Sequence, residues 1–338
     1  MTYHIEEKVL HFKQPAGTSR GVYTTRRSWF VTLADENGRQ GVGECAPLPN
    51  LSCDDLPDYG KKLEEILNES IPNLDDLSHL KEYPSMLFGI ETALLNLKTG
   101  SSMLFDTPFG RGEEGIPING LVWMGSFEEM QQRIEQKLAQ GFHCVKLKIG
   151  AIDFNAELEL LKKIRSRYSR QEIELRVDAN GAFSPDEALQ KLEQLSLYDI
   201  HSIEQPIRQQ QWSDMAMLCR ESPIPIALDE ELIGVNDPAM KRHMLNIIKP
   251  RYIILKPSLH GGMAGCREWI DTAREMGIGS WITSALESNI GLNAIAQFAS
   301  AVYGDHITMP QGLGTGQLFT DNIPMALDIR GDMLFLDK

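Results

Sequence analysis

The chain opens in the two-residue period of β-strands. Apolar and polar side chains alternate over residues 4–10 and 28–33, and Gly41-Val42-Gly43-Glu44-Cys45 reads as a third strand. Residues 15–21, with two glycines, read as a mobile loop. Asp35-Glu36-Asn37-Gly38 reads as a hairpin turn, because Asn-Gly tolerates positive φ. Together these predict an antiparallel three-stranded meander. The period then becomes helical: residues 59–68 and 83–97 carry apolar side chains three and four apart. Residues 85–97 are apolar or small on two faces, which predicts a buried helix. A meander followed by helices is an α+β unit, and the Gly100-Ser101-Ser102 break puts its end near residue 103.

From residue 116 onward strand-like and helix-like stretches alternate. Ser126 caps a helix with Glu128 and Glu129 in its first turn, and Gly141 closes it. Ser184-Pro185-Asp186-Glu187 opens another, with Pro at the first helical position. Candidate strands fall near residues 118, 146, 176, 203, 227, 254, 282 and 308, the last being the least clear. Eight such units predict a parallel α/β barrel over residues 104–315. Residues 331–336 read as one more strand after the barrel closes, and residues 316–338 are expected to return to the first domain.

Composition changes this picture little. The 338 residues suffice for a barrel and a smaller second domain. No apolar run is long enough for a membrane span, and residues 1–7 lack the features of a signal peptide, so the expected location is cytoplasmic. The five cysteines are odd in number and form no C-x-x-C pair, which argues against a disulfide framework or a zinc site. A net charge of −14 argues against a nucleic-acid partner. The oligomeric state stays open.

The candidate chemistry sits at the strand ends. Val145-Lys146-Leu147-Lys148-Ile149 puts two lysines on one face of a strand. The next strands end in Asp178, Glu204, Asp229 and Lys256, at steps of 30, 26, 25 and 27 residues. Each step is about one strand, one helix and two loops long. In a parallel barrel, all five charges therefore converge on one mouth. Three crowded carboxylates repel one another, and a hard divalent cation such as Mg²⁺, or Mn²⁺ in its place, removes that repulsion. Asn180 and Glu230 are placed to orient these ligands. Lys146 and Lys148 are expected to lower each other's pKa, which makes one of them a base. A metal with a lysine base suits removal of a proton next to a carboxylate, with the charge stabilised as an enediolate. The expected partner is accordingly a small-molecule carboxylate.

Lys146-x-Lys148, Val177-Asp178-Ala179-Asn180, Ile203-Glu204-Gln205-Pro206, Leu228-Asp229-Glu230 and Leu255-Lys256-Pro257 together resemble the enolase superfamily, within it the muconate-lactonising subgroup. The resemblance implies an N-terminal α+β capping domain (1–103), a modified TIM barrel of (β/α)7β form (104–315), and an essential Mg²⁺. Lys148 sits nearer the strand's carboxyl end and hence the mouth, so it is expected to be the base, with Lys146 as its electrostatic partner and Lys256 on the far side. Gly43-Glu44-Cys45-Ala46-Pro47-Leu48-Pro49, residues 256–262, 284–292 and 312–316 are similar to the branch that dehydrates a succinyl-hydroxycyclohexadiene carboxylate. In that branch Ala285 and Asn289 stand where serine and glycine are commoner. The subgroup also contains N-acylamino-acid racemases and dipeptide epimerases. An epimerase is expected to carry Asp-x-Asp near the last strand, and here Pro310-Gln311-Gly312-Leu313-Gly314-Thr315 has no acid.

The substrate's distal tail is expected to meet Ser284, Glu287 and Ser288, with Ser19, Arg20 and residues 47–50 of the capping domain. A Schiff-base aldolase using Lys148 or Lys256 would not need three spaced carboxylates. A non-enzymatic scaffold barrel leaves the lysines without a purpose.

Overall fold

The computed structural model describes residues 1–18 and 21–337. Strands β1 (Thr2–Thr18), β2 (Gly21–Ala34) and β3 (Gln40–Cys45) form an antiparallel sheet in the order β1-β2-β3. Residues 15–18 and Gly21, expected as loop, instead extend β1 and β2 into a long hairpin, with a register shift between His11 and Ala16. That irregularity accommodates Pro15, which cannot donate to the ladder. Helices α1 (Tyr59–Ser70) and α2 (Pro84–Thr99) pack on this sheet. Strand β3 lies almost flush on α2. A Cβ on Gly43 would collide with the Gly89 carbonyl oxygen, and one on Gly89 with the Cys45 sulfur. The glycines in a predicted strand thus mark a close backbone approach.

A short strand β4 (Ile116–Pro117) precedes the barrel strands, which are β5 (Gly120–Val122), β6 (Cys144–Lys148), β7 (Glu174–Asp178), β8 (Ile200–Glu204), β9 (Ile226–Leu228), β10 (Tyr252–Leu255) and β11 (Gly279–Ile282). Strands β5 to β11 form one parallel sheet in chain order. Between and after them come α3 (Phe127–Ala139), α4 (Phe154–Arg165), α5 (Pro185–Ser196), α6 (Trp212–Glu221), α7 (Pro238–Ile248), α8 (Gly262–Glu275) and α9 (Asn289–Tyr303). The caps foreseen at Ser126 and Ser184 are both reciprocal capping boxes. The eighth strand is not at residues 307–309. Gln311 and Gly312 alone close the circle, through single bridges to Ile118 and Thr283. Proline at 310 and glycines at 312 and 314 leave too little β-forming sequence for a longer strand.

All five residues of β6 are buried, so it is an internal strand and not a wet edge. Its odd-numbered side chains join the apolar layer under the helices, and Lys146 and Lys148 face the barrel interior. Below them, Trp281, Ile254 and Ala227 fill the barrel, with the Arg176 guanidinium 4.4 Å from the Trp281 ring centroid. The C-terminal segment divides in two. Leu318 and Thr320 bond the backbone of Lys13 and His11 in the first domain. Strands β12 (Leu327–Arg330) and β13 (Met333–Leu336) instead form a hairpin on β4 at the barrel's foot. Among the described residues, no helix is long and apolar enough to cross a membrane.

Two buried side chains lock the first domain onto the barrel mouth. Arg26 of β2 donates to the carbonyls of Ala46 (2.6 Å) and Leu286 (3.2 Å). Glu44 of β3 accepts from the amides of Ser288 (2.9 Å) and Gly291 (3.0 Å) at the start of α9. A carboxylate there satisfies orphan amides and favours the helix dipole. Within the first domain, β3 approaches α2 most closely where Gly43 meets the Gly89 carbonyl. Gly43→Ala should therefore lower unfolding free energy by about 1–3 kcal/mol through overpacking. Denaturant unfolding measures this, and an unchanged midpoint would refute the close packing.

Candidate active site

The register of the parallel sheet assembles the site. Lys148 lies beside Asp178, and Asp178 beside Glu204, on consecutive strands. Asp229 follows β9 directly and Lys256 follows β10. One carboxylate oxygen from each of Asp178, Glu204 and Asp229 lies within 4.8 Å of the others, and all three residues are buried. Lys146 Nζ donates to Glu204 Oε2 at 2.8 Å and to Asp178 Oδ2 at 3.4 Å. Lys148 Nζ donates to Asp178 Oδ2 and Asn180 Oδ1, both at 2.8 Å. Across the barrel, Lys256 Nζ reaches both oxygens of Asp229, at 2.7 and 2.6 Å.

The residues after the strand ends hold this geometry. Asn180 adopts φ 45°, and its backbone amide donates to Asp178 Oδ1 at 3.0 Å. Its side-chain amide donates to Glu230 Oε1 at 2.8 Å. Gln205, at φ 36°, accepts from the backbone amides of Asp229 and Glu231, both at 3.2 Å. Non-glycine residues with positive φ are costly, and two of them directly past the acidic strand ends fit a functional constraint. Gln205 was visible in the sequence as the neighbour of Glu204, but only the fold reveals its bonds to the next strand's loop.

Electrostatics separate the groups. Burial pushes Glu204 up to about 7, Lys146 opposing and Asp178 adding to the effect. Burial, Asp229 and Asp178 likewise push Glu230 up to about 7. Burial also acts to raise Asp178, but Lys148 and Lys146 outweigh it and hold that carboxyl well below the usual range. The mutual lowering expected of the lysines does not describe Lys146. Burial pulls it down, yet Glu204 and Asp178 push it further up, so its pKa is raised. Sequence shows the lysine two residues away, not the glutamate that folding brings to 2.8 Å.

One cavity of about 780 Å³, counting its open mouth, contains Lys146, Lys148, Asp178, Asn180, Glu230 and Lys256. Its outer wall is Tyr23, Leu48 and Leu51 from the first domain, with Trp123, Ser284 and Leu286. Of the residues expected to meet the tail, Ser284 lines this cavity. Glu287 and Ser288 do not line the cavity. Glu287 is fully buried, accepting from Ser258 and from the Ala285 amide, and Ser288 caps α9 and bonds Glu44. Glu287 is held within the barrel loops and Ser288 at the domain interface, which sequence spacing cannot reveal. Ser19 and Arg20 lie outside the described residues.

The acidic triad fits a divalent cation. The donors are all hard oxygens, and Glu204 Oε1 is buried without a hydrogen-bond partner. A buried carboxylate oxygen left unpaired is costly unless a cation is its partner.

These features define a class, a capped barrel with an acidic metal site and opposed lysines. Residues 129–325, more than half the chain, match the family described as enolase C-terminal domain-like, and residues 18–97 match the MenC N-terminal domain. The o-succinylbenzoate synthase of Desulfotalea psychrophila is 49% identical, with 96% of each chain covered. The crystal structure of MenC from that organism superimposes with a TM-score of 0.85, 44% identity and 99% of both chains covered. A muconate lactonizing enzyme from Pseudomonas fluorescens shares the fold, with a TM-score of 0.83, 21% identity, and 100% of this chain and 94% of that one covered. The chain belongs to the o-succinylbenzoate synthase family of the enolase superfamily.

The triad makes a direct prediction. Exhaustive chelation should abolish turnover, and Asp178→Asn, Glu204→Gln and Asp229→Asn should each lower kcat/KM by about 100-fold or more. Steady-state kinetics with metal analysis checks this, and full activity in metal-free protein would exclude the site.

Proposed function

We propose that this protein is an o-succinylbenzoate synthase, a carbon–oxygen lyase on the route to menaquinone. It dehydrates 2-succinyl-6-hydroxy-2,4-cyclohexadiene-1-carboxylate to o-succinylbenzoate, with Mg²⁺ as the cation and Mn²⁺ as its substitute. The observation that carries this reading is the pair of opposed walls in one cavity. Lys146 and Lys148 stand on β6, Lys256 stands past β10, and the acid triad lies between them. The absence of any acid in residues 310–315 favours dehydration over dipeptide epimerisation.

Asp178, Glu204 and Asp229 would hold the cation, which when bound supplies positive charge beside the substrate's ring carboxylate. Lys148 takes the proton from the ring carbon that bears this carboxylate. The electron pair moves into the carboxylate to give an enediolate. As the pair returns, the hydroxyl on the adjacent carbon leaves as water with the proton that Lys148 has just received. The ring is then aromatic, and one lysine serves as base and acid when proton and hydroxyl share a face. Asn180 accepts from Lys148 and orients it. Lys146 acts as a fixed positive charge, since Glu204 and Asp178 outweigh burial and raise its pKa. Burial pulls on Lys256 as well, but Asp229 and Glu230 raise it, so it stays charged against the anionic π system.

Lys148→Ala should lower turnover by about 10³-fold or more while cation binding persists. Ultraviolet absorbance follows the diene becoming an arene, and calorimetry follows the cation. Normal turnover by this variant would remove Lys148 as the base. No absorbance change with the wild-type protein, beside rapid exchange and racemisation of an N-succinylamino acid in deuterated water, would move the function to the racemase branch.

A further inference from the structure

The segments that carry the three acids meet at Gln205, which is fully buried and directly follows Glu204. Its backbone carbonyl accepts from the Gly181 amide at 2.6 Å, in the loop after β7. Its backbone amide donates to the Ala227 carbonyl at 2.9 Å, in β9. Its side-chain oxygen accepts from the amides of Asp229 and Glu231, in the turn after β9. One residue thus joins the chain segments that hold Asp178, Glu204 and Asp229.

A carboxamide has a donor end and an acceptor end, so its orientation depends on what each end meets. Gln205 Nε2 donates to the Ile207 carbonyl at 3.0 Å and to Glu231 Oε2 at 3.2 Å. A carboxylate only accepts, so Glu231 admits the NH₂ end and leaves the oxygen end for the Asp229 amide. Glu231 is itself buried and pinned on its far side. Its Oε1 accepts from the Gln210 amide at 2.7 Å and from the Trp212 indole at 2.8 Å, where α6 begins. Each of these three partners is an N–H donor. Gln210 adopts φ 69°, so residues 205 and 210, at the two ends of the loop around Glu231, both hold unfavourable backbone angles. Glu231 does not line the catalytic cavity and is not one of the three clustered acids, so its effect on the site is indirect.

We propose that Glu231 is a positioning residue for the cation site, fixing the orientation of the Gln205 carboxamide and through it the backbone of Asp229. This rests on the reading of the acid triad as a cation site. Glu231→Gln keeps the shape but brings an NH₂ group into the cluster. That group meets either Gln205 Nε2 or the Gln210 amide and the Trp212 indole, and in both cases buried donors face each other. Gln205 escapes only by turning over. Its own NH₂ then stands against the backbone amides of residues 229 and 231, and the hold on Asp229 is lost.

The test titrates the full-length protein, freed of metal by chelator and dialysis, with Mg²⁺ in a calorimeter. Glu231→Gln should weaken binding by about tenfold or more, the usual effect of losing a residue that orients metal ligands. Gln205→Ala should weaken it by a similar factor. In the Gln205→Ala background, Glu231→Gln should add less than about twofold, because the two residues act along one line of contacts. The electron paramagnetic resonance spectrum of bound Mn²⁺ reports ligand geometry, which a loss of fold stability alone would not alter. It should change in Glu231→Gln and change no further in the double variant. Circular dichroism reports folding. If Glu231→Gln does not fold, Glu231→Ala, whose vacated space admits water to the same donors, carries the same test with the same expectation. Unchanged Mg²⁺ affinity and an unchanged Mn²⁺ spectrum in the folded variant would overturn the assignment. So would equal losses from Glu231→Gln with and without Gln205. A wild-type protein that binds no Mg²⁺ would instead remove the cation site itself, and none of these outcomes depends on which reaction the site performs.

Discussion

Three carboxylates held within 4.8 Å of one another in a buried barrel mouth would repel strongly enough to resist assembly. Positive charge must be supplied to them, and the fold is arranged to supply it. Two lysines come from the strand before the acids and one follows the strand after them. Asn180 and Gln205 adopt unfavourable backbone angles to tie the acids to their neighbours. The Glu204 oxygen without a partner marks where protein charge stops and a cation fits. The same balance sets the roles of the lysines. Glu204 and Asp178 raise Lys146 against the effect of burial, which suits a permanent cation.

The capping domain that covers this mouth is fixed to the loop and helix at its rim. Glu44 and Arg26 are both buried, and both bond the loop and helix that follow β11. Gly43-Glu44-Cys45 and residues 284–292 are far apart in the chain, yet they form one contact. Leu48, Leu51 and Tyr23 then complete the cavity wall. Position in the fold therefore decides what lines the cavity and what is buried behind it, which is why Ser284 lines the cavity and Glu287 does not.

The charged core of the site was legible in the sequence because a parallel barrel converts even spacing into convergence. Steps of 25 to 30 residues between strand-end charges needed only the rule that strand ends share a mouth. The features that were not legible depend on contacts across many residues. The eighth strand shrank to Gln311 and Gly312 because closure needs only two bridges. The first hairpin outran its expected loop because a bulge absorbs Pro15.

The central claim is that a divalent cation resolves the repulsion among Asp178, Glu204 and Asp229. Anomalous diffraction from crystals soaked in Mn²⁺ tests it most directly. The account predicts one strong peak within bonding distance of an oxygen from each of the three side chains. A peak elsewhere, or none at this site in metal-saturated crystals, would contradict it.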